Sequence, residues 1–421
     1  MGWSHAQISF LSVFVTAVGT TFLVGFFRHI GFSEFQISVY GSAIGFACFF
    51  CVFGSWFGQR KGHYKRTVMA FFAAAPVLCA IGVFAGAYKV APVIVLVIIA
   101  FYQLFLYMAI PVLLSWLHGL VGQRDWPRFF SMRMIVSDIS MLATVFAVGL
   151  FLGESPDTNR FLWMFSVAVI LGFFCVPTVK KIPDPVVTES FPEIKTYLKM
   201  IVSAMRKKEI LKLLIIAFVR SFAYGFIMPF QPLFLLEVLK FGYESISHLI
   251  CLGTVFSIFF YKVWAYFQKR YGDFRSLKWN LLLSIVEPFL WLIAARSNPT
   301  PVYLAFALFG YFGAQGMVNA GFWPSFLGSV FQLSDESQKP VYTSLYYFVF
   351  GAATMFAPLI AGGLVQHFNA APLMVIAGTD YVVDGYRIIF LIAELLLIAT
   401  MLYAAVGTRY KRFELNEKED E

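Results

Sequence analysis

The sequence is short of charge: Asp, Glu, Lys and Arg together make 13% of its 421 residues, where a soluble domain carries roughly a quarter. Beside a hydrophobic share of 60%, that deficit excludes water as the solvent for most of the chain. Cysteine is scarce as well. The five residues, Cys48, Cys51, Cys79, Cys175 and Cys251, all fall inside apolar runs, where a thiol acts as a small hydrophobe, so no disulfide framework is indicated. Cys48-x-x-Cys51 sits mid-run with no second ligand pair, and no metal site is expected from it. The six histidines lie at the ends of apolar runs in different loops. A polytopic membrane enzyme, such as an acyl or glycosyl transferase, needs acids, bases or nucleophiles clustered near an interface, and the scatter argues against one. No Gly-x-x-x-x-Gly-Lys-Ser/Thr loop occurs, so ATP drive within the chain is unsupported. No cofactor is expected.

What the sequence has in quantity is apolar runs of the length a bilayer demands, about 20 residues for a core about 30 Å thick. Twelve are expected, at 6–27, 35–57, 67–88, 91–117, 130–152, 160–178, 211–236, 244–267, 277–295, 301–331, 341–366 and 384–407. The first begins near Ala6 without a basic leader and ends at Arg28 without a small-residue cleavage site, which reads as a retained helix and not a signal peptide. The longest break, 180–209, is charged and proline-containing with an amphipathic stretch from Phe191 to Met205. The expected organisation is therefore an N-terminal six-helix bundle over 1–179, a cytoplasmic linker over 180–209, a C-terminal six-helix bundle over 210–408 and a charged tail over 409–421.

The formal charge of +9 is carried by basic residues spread over many short loops, a distribution that points to membrane orientation and not to nucleic acid. Most of the 32 lysines and arginines, among them Arg60, Lys65, Arg128, Lys180, Arg270 and Arg409, fall on one side of the twelve runs. The opposite side has Arg28, Lys89, Arg160, Lys240, Arg296 and Arg387. Cytoplasmic loops hold the excess of Lys and Arg, so both termini are expected in the cytoplasm. The compact size and short loops suggest a bacterial inner membrane; a monomer is expected.

An internal repeat is visible at an offset of 210 residues: Glu34 with Glu244, Phe57 with Phe267, Arg60 with Arg270, and Gly62 with Gly272, with Lys65 and Arg275 matched in charge. These positions fall in equivalent places of the two halves, and duplicated halves are a transporter architecture. The loop after the second run reads Ser55-Trp-Phe-Gly-Gln-Arg60-Lys-Gly62-His-Tyr-Lys65-Arg66, and its partner Ala265-Tyr-Phe-Gln-Lys-Arg270-Tyr-Gly272-Asp-Phe-Arg275. This pair resembles the G-x-L-a-D-R-x-G-R-[RK] loop signature of the major facilitator superfamily. Ser55 stands where that signature has its first glycine, and Gln59 and Lys269 where it has aspartate. The resemblance implies an all-α membrane fold of two pseudo-symmetric six-helix bundles that rock about a central cavity lined by helices 1, 4, 7 and 10, with Arg60, Gly62, Lys65, Arg270, Gly272 and Arg275 as cytoplasmic gating loops.

Ionisable residues inside spans are costly and so are functional candidates. Arg220 lies near the middle of helix 7, where it either meets an anionic or polyhydroxylated substrate or pairs with an acid. Asp138 in helix 5 is the first coupling candidate; the alternative is that it is locked to Arg133 or Arg220. Glu287 in helix 9 is the second, and Glu394 lies deep in helix 12; the resemblance makes both helices peripheral, where packing against a neighbour is the competing role. Gln103 of helix 4, and Gln315 and Asn319 of helix 10 at i, i+4, offer amides either to a solute or to another helix. Trp323 and Tyr224, with Tyr346 and Tyr347, offer stacking faces for a sugar ring or an aromatic solute. The reading that follows is a secondary transporter of a small polar solute, sugar-like, with proton or sodium as the coupling ion, membrane lipid as solvent, and alternating access as the mechanism. A drug or metabolite exporter of the same fold is the alternative; helix 5 lacks the Gly-Pro pair typical of exporting antiporters, at 142–153.

Overall fold

A backbone in hydrocarbon must satisfy its own hydrogen bonds, and the computed structural model answers with helices. It describes residues 2–60, 64–121, 126–183, 193–293, 301–333, 339–375 and 382–406; the expected tail over 409–421 and residues 184–192 of the expected linker lie outside them. In chain order the helices are α1 (Gly2–Ala17), α2 (Thr20–His29), α3 (Glu34–Arg60), α4 (Tyr64–Ala87), α5 (Pro92–Val121), α6 (Trp126–Leu152), α7 (Thr158–Phe173), α8 (Cys175–Lys180) and α9 (Ile194–Met205). There follow α10 (Lys208–Ile227), α11 (Gln231–Leu233) with a π-helical turn over Phe234–Val238, α12 (Tyr243–Tyr271), α13 (Asp273–Ser284), α14 (Val286–Ile293), α15 (Pro301–Gln332), α16 (Lys339–Ala370) and α17 (Gly385–Val406). Between the last two, β1 (Met374–Val375) pairs antiparallel with β2 (Val382–Val383). The protein is all-α and membrane-spanning: ten helical segments among the described residues are long and apolar enough to cross a bilayer. The two other expected spans, 277–295 and 301–331, fall on α13–α14 and α15.

Several spans expected as single helices are broken, each at an identifiable residue. The first parts into α1 and α2 at Gly19, whose extended backbone (φ −70°, ψ 173°) interrupts the helical ladder. The seventh leaves α-helical geometry after Ile227, where Pro229 and Pro232 remove two backbone donors. The ninth divides at Ile285, just ahead of Glu287-Pro288. Broken helices are tolerated at membrane depth only where they are buried in protein or line a cavity. All three breaks lie beside polar groups described below.

The termini of the successive helices define two faces, one holding Gly2 and Val406, here the terminal face, and the opposite, distal face. The halves pack through α3 against α16 and through α6 against α12. In the first pair Gly45 lies against the backbone of Met355, and Gly351 against the backbone of Phe49; a Cβ at either glycine would overlap the facing helix. Bonds and ring contacts that join the halves are found at the distal and central levels. Tyr243 N–H donates to Gly153 O at 3.0 Å, the Cys251 thiol to Leu142 O at 3.8 Å, and Phe49 meets Phe348 at 4.5 Å.

Candidate functional site

The central polar cluster is built by α10, α14, α15 and α16. Arg220 is twelve residues into α10, roughly 18 Å from its start at 1.5 Å per residue, which is about the middle of a 30 Å hydrocarbon core. Its side chain is buried. The guanidinium stands 3.6 Å from the ring centroid of Phe322 and 4.3 Å from that of Tyr224, a cation–π pair of the kind that gains strength when desolvated. One turn on, the Tyr224 hydroxyl donates to Glu287 Oε1 at 2.8 Å. Glu287 is wholly buried and interacts electrostatically with Arg220. Opposite charges are thus joined through one tyrosine at membrane depth. Among the described residues, Arg220 Nε and Glu287 Oε2 are buried with no hydrogen-bond partner. Leaving such groups unmet costs about 1–3 kcal/mol each, more when they are charged.

An aromatic wall surrounds this cluster. Trp323 lies edge-on to Tyr346 at 4.2 Å and 5.8 Å from Tyr347, and Tyr346 also meets Phe326 and Phe350. Tyr107 of α5, in the other half, lies within electrostatic range of Tyr347 and of Cys48 of α3, and Phe49 of α3 meets Phe348, the residue after Tyr347. The wall therefore draws on both halves.

The sequence-expected residues separate into those gathered here and those placed elsewhere. Arg220, Tyr224, Glu287 and Trp323 are together. Asn319 is exposed on the face of α15 that carries Phe322 and Trp323, and Gln315 stands one turn away, half-buried. Gln103 is buried and hydrogen-bonded to Tyr40, which also bonds Thr20; its amide ties α2, α3 and α5 together. Asp138 is half-buried on α6 and interacts with Tyr261 of α12 across the halves. The lock to Arg133 is not found: that guanidinium donates to Ser4 O, Ser4 Oγ and Gln7 Oε1 at 2.6–2.7 Å. Successive residues of α6 point to different neighbours, and Ser137 and Ser140 complete the seam to Ser12 and Ser9 of α1. Nor is Arg220 a partner of Asp138 among the described residues. Glu394, on α17, bonds the backbone of Phe289 on α14.

Of the loop residues, Gly62 and the side chain of Arg60 lie outside the described residues. Lys65 is half-buried at the start of α4. Gly272 adopts φ +81°, a backbone conformation that favours glycine, and turns α12 directly into α13. Arg270 is exposed and donates to Tyr266 Oη at 2.7 Å, while Arg275 lies on the outer surface between α12 and α13. The carboxylate of this loop is Asp273, seated against Gly328 and accepting from Gln332 Nε2 at 3.3 Å. Burial pushes its pKa up to about 6.

A second polar cluster, which the sequence reading did not single out, closes the distal face. Arg28 at the end of α2 donates through Nε to Glu237 of the π-turn, through a terminal nitrogen to Glu34 at 3.1 Å, and to Phe32 O at 3.1 Å. Tyr386 Oη donates to the other Glu237 oxygen at 3.0 Å. Arg28 and Glu237 are 209 residues apart, almost the repeat offset, so the latch joins nearly equivalent positions of the two halves. That coincidence was the available signal. For Phe322 and Tyr107 the signal was weaker: Tyr107 follows Gln103 at i+4, and Phe322 is one of 50 phenylalanines.

The chain matches the family model described as Major Facilitator Superfamily over residues 213–420. No curated protein matches it in sequence. Three solved structures share its fold over nearly the whole length. A point mutant of the nucleoside transporter NupG superposes with a TM-score of 0.74 at 15% identity, covering 96% of this chain and 99% of that one. An auto-inhibited POT family peptide transporter gives 0.69 at 11%, with 97% and 96% covered. A D-xylose–proton symporter gives 0.67 at 13%, with 95% and 96% covered.

Proposed function

We propose that this chain is a secondary transporter of the major facilitator type and carries a ring-bearing polar solute of the sugar or nucleoside type by proton symport. The observation that supports this reading is the Arg220–Tyr224–Glu287 relay inside an aromatic wall. Arg220 offers donors to hydroxyl or carbonyl oxygens of a solute, Trp323 and Tyr346 offer faces to its ring, and Asn319 an adjustable amide. Glu287 is the proton site. Deprotonated, it is held by the Tyr224 hydroxyl and the field of Arg220; protonated, it releases the guanidinium toward the solute. Solute and proton then favour one another's binding, the reciprocity a symporter needs. Solved structures of a nucleoside transporter and a xylose–proton symporter share the fold and fit this class.

The two halves, 1–179 and 210–408, are the rocking units, and the linker over 180–209 with the tail over 409–421 lies in the cytoplasm. On the positive-inside count the terminal face is cytoplasmic, and a bacterial inner membrane is the proposed location. The Arg28–Glu237 latch and the bond from Tyr243 N–H to Gly153 O then lie on the outer side. Asp138, interacting across the halves with Tyr261, is the second coupling candidate, and the loop cations act where helix ends meet the cytoplasm.

The test is uptake into proteoliposomes over a panel of sugars, nucleosides, amino acids and organic acids, with and without an imposed pH gradient. Gradient-driven accumulation of a ring-bearing polar solute, abolished by Arg220→Ala, is the expected result. No uptake of any panel member, together with gradient-driven movement of lipophilic cations, would overturn the reading in favour of the exporter.

A further inference from the structure

On the outer, lipid-facing side of the C-terminal half, two grooves run side by side from the terminal face. The first, about 460 Å³, lies between α12 and α13 and is lined by Phe260, Phe267, Tyr271 and Leu283. The second, about 260 Å³, lies between α13 and α17 and is lined by Leu282, Met401 and Ala405. Arg275 and Trp279 line both grooves, and Lys278 enters the second. Arg275, Lys278 and Trp279 are spaced i, i+3, i+4 and so share one helix face. Trp279 is 54% exposed and forms the ridge between the grooves.

Depth and charge agree on an occupant. Arg275 stands two residues into α13, at the level where the chain leaves the membrane, while Phe260 lies eleven residues up α12 from Tyr271 and Leu283 eight beyond Arg275. At 1.5 Å per residue these are roughly 12–17 Å, about the thickness of one hydrocarbon leaflet. The walls are apolar along that depth and cationic only at the mouth. Arginine presents a planar fork that matches a phosphate, and tryptophan favours the headgroup level.

We propose that this surface is a binding site for an anionic glycerophospholipid of the terminal-face leaflet. Its phosphate lies at Arg275 and Lys278, and one acyl chain fills each groove on either side of Trp279. A zwitterionic lipid presents the same chains with a compensating cation, so the preference is electrostatic; a single-chain lipid leaves one groove unfilled.

Native mass spectrometry of the full-length chain in detergent tests this, using phosphatidylglycerol, phosphatidylcholine of the same acyl chains, and lysophosphatidylglycerol. Two surface cations predict phosphatidylglycerol retained about ten- to thirtyfold more tightly than phosphatidylcholine, the lyso lipid weaker than its diacyl parent, and the preference gone in an Arg275→Gln, Lys278→Gln double variant. Equal retention of the two diacyl lipids, or an undiminished preference in the double variant, would overturn the proposal. A second measurement uses vesicles: brominated phosphatidylglycerol should quench a tryptophan component at lower mole fraction than brominated phosphatidylcholine, and Trp279→Phe should remove that component. Identical quenching by both lipids in wild type would count equally against the site.

Discussion

Arg220 and Glu287 are charged residues at the depth where charge is most expensive, and their arrangement assigns them different expectations. Tyr224→Phe removes the only described hydrogen bond to Glu287 while leaving the carboxyl buried. A lost bond to a charged group corresponds to about 1.5–3 kcal/mol, so uptake should fall by roughly ten- to a hundredfold at unchanged expression. Glu287→Gln keeps an acceptor for Tyr224 and removes the proton site. Solute exchange down its own gradient should persist while accumulation driven by a pH gradient disappears; retention of gradient-driven accumulation would remove Glu287 from coupling. Asp273 gives a pH expectation outside the membrane. Its folded pKa, about 6, lies above the usual carboxylate value. The penalty of burying its charge is therefore fully present above pH 6 and is relieved as pH falls from about 6 toward about 4. Thermal unfolding in detergent should show Asp273→Asn stabilised relative to wild type at about pH 7.5, with the difference shrinking by about pH 5.

At the scale of elements, the seam between α3 and α16 depends on the absence of side chains at Gly45 and Gly351. Gly45→Leu should hold the halves apart at the distal and central levels. A cysteine placed at Ser38, which lies against Gly362 in this seam, should then react with a membrane-impermeant maleimide from the distal side faster than in the parent. The latch of Arg28 and Glu237 acts on the same equilibrium. Both side chains are partly exposed, so screening limits the pair to about 1 kcal/mol, and Glu237→Gln should raise the same labelling rate several-fold. An unchanged rate in both variants would show that this seam is not the moving contact.

At the scale of the molecule, the two halves are related by a sequence offset that also relates their parts in space. Glu34 and Glu244 each lie in the first turn of the helix of the second span of their half, α3 and α12, and Arg60 and Arg270 lie at the ends of those two helices. The order of the apolar helices was legible because lipid imposes it residue by residue, each crossing needing its apolar run, whereas the breaks in the first, seventh and ninth spans were not. Arg220 and Tyr224 stand one turn apart on one span, and the structure buries them in one cluster.

What the sequence determined by itself was therefore the solvent, the helical class, the duplicated plan and the residues too polar to lie in lipid without a role. Which of those residues meet was decided by tertiary structure. Glu287 stands on a helix expected at the periphery and reaches Tyr224 because the span breaks at Ile285. Gln103 and Arg133, equally polar, turn to Tyr40 and to Ser4 and Gln7. A buried polar group must find a partner, but a span lists only candidates, and the rotation and breaking of its neighbours select among them.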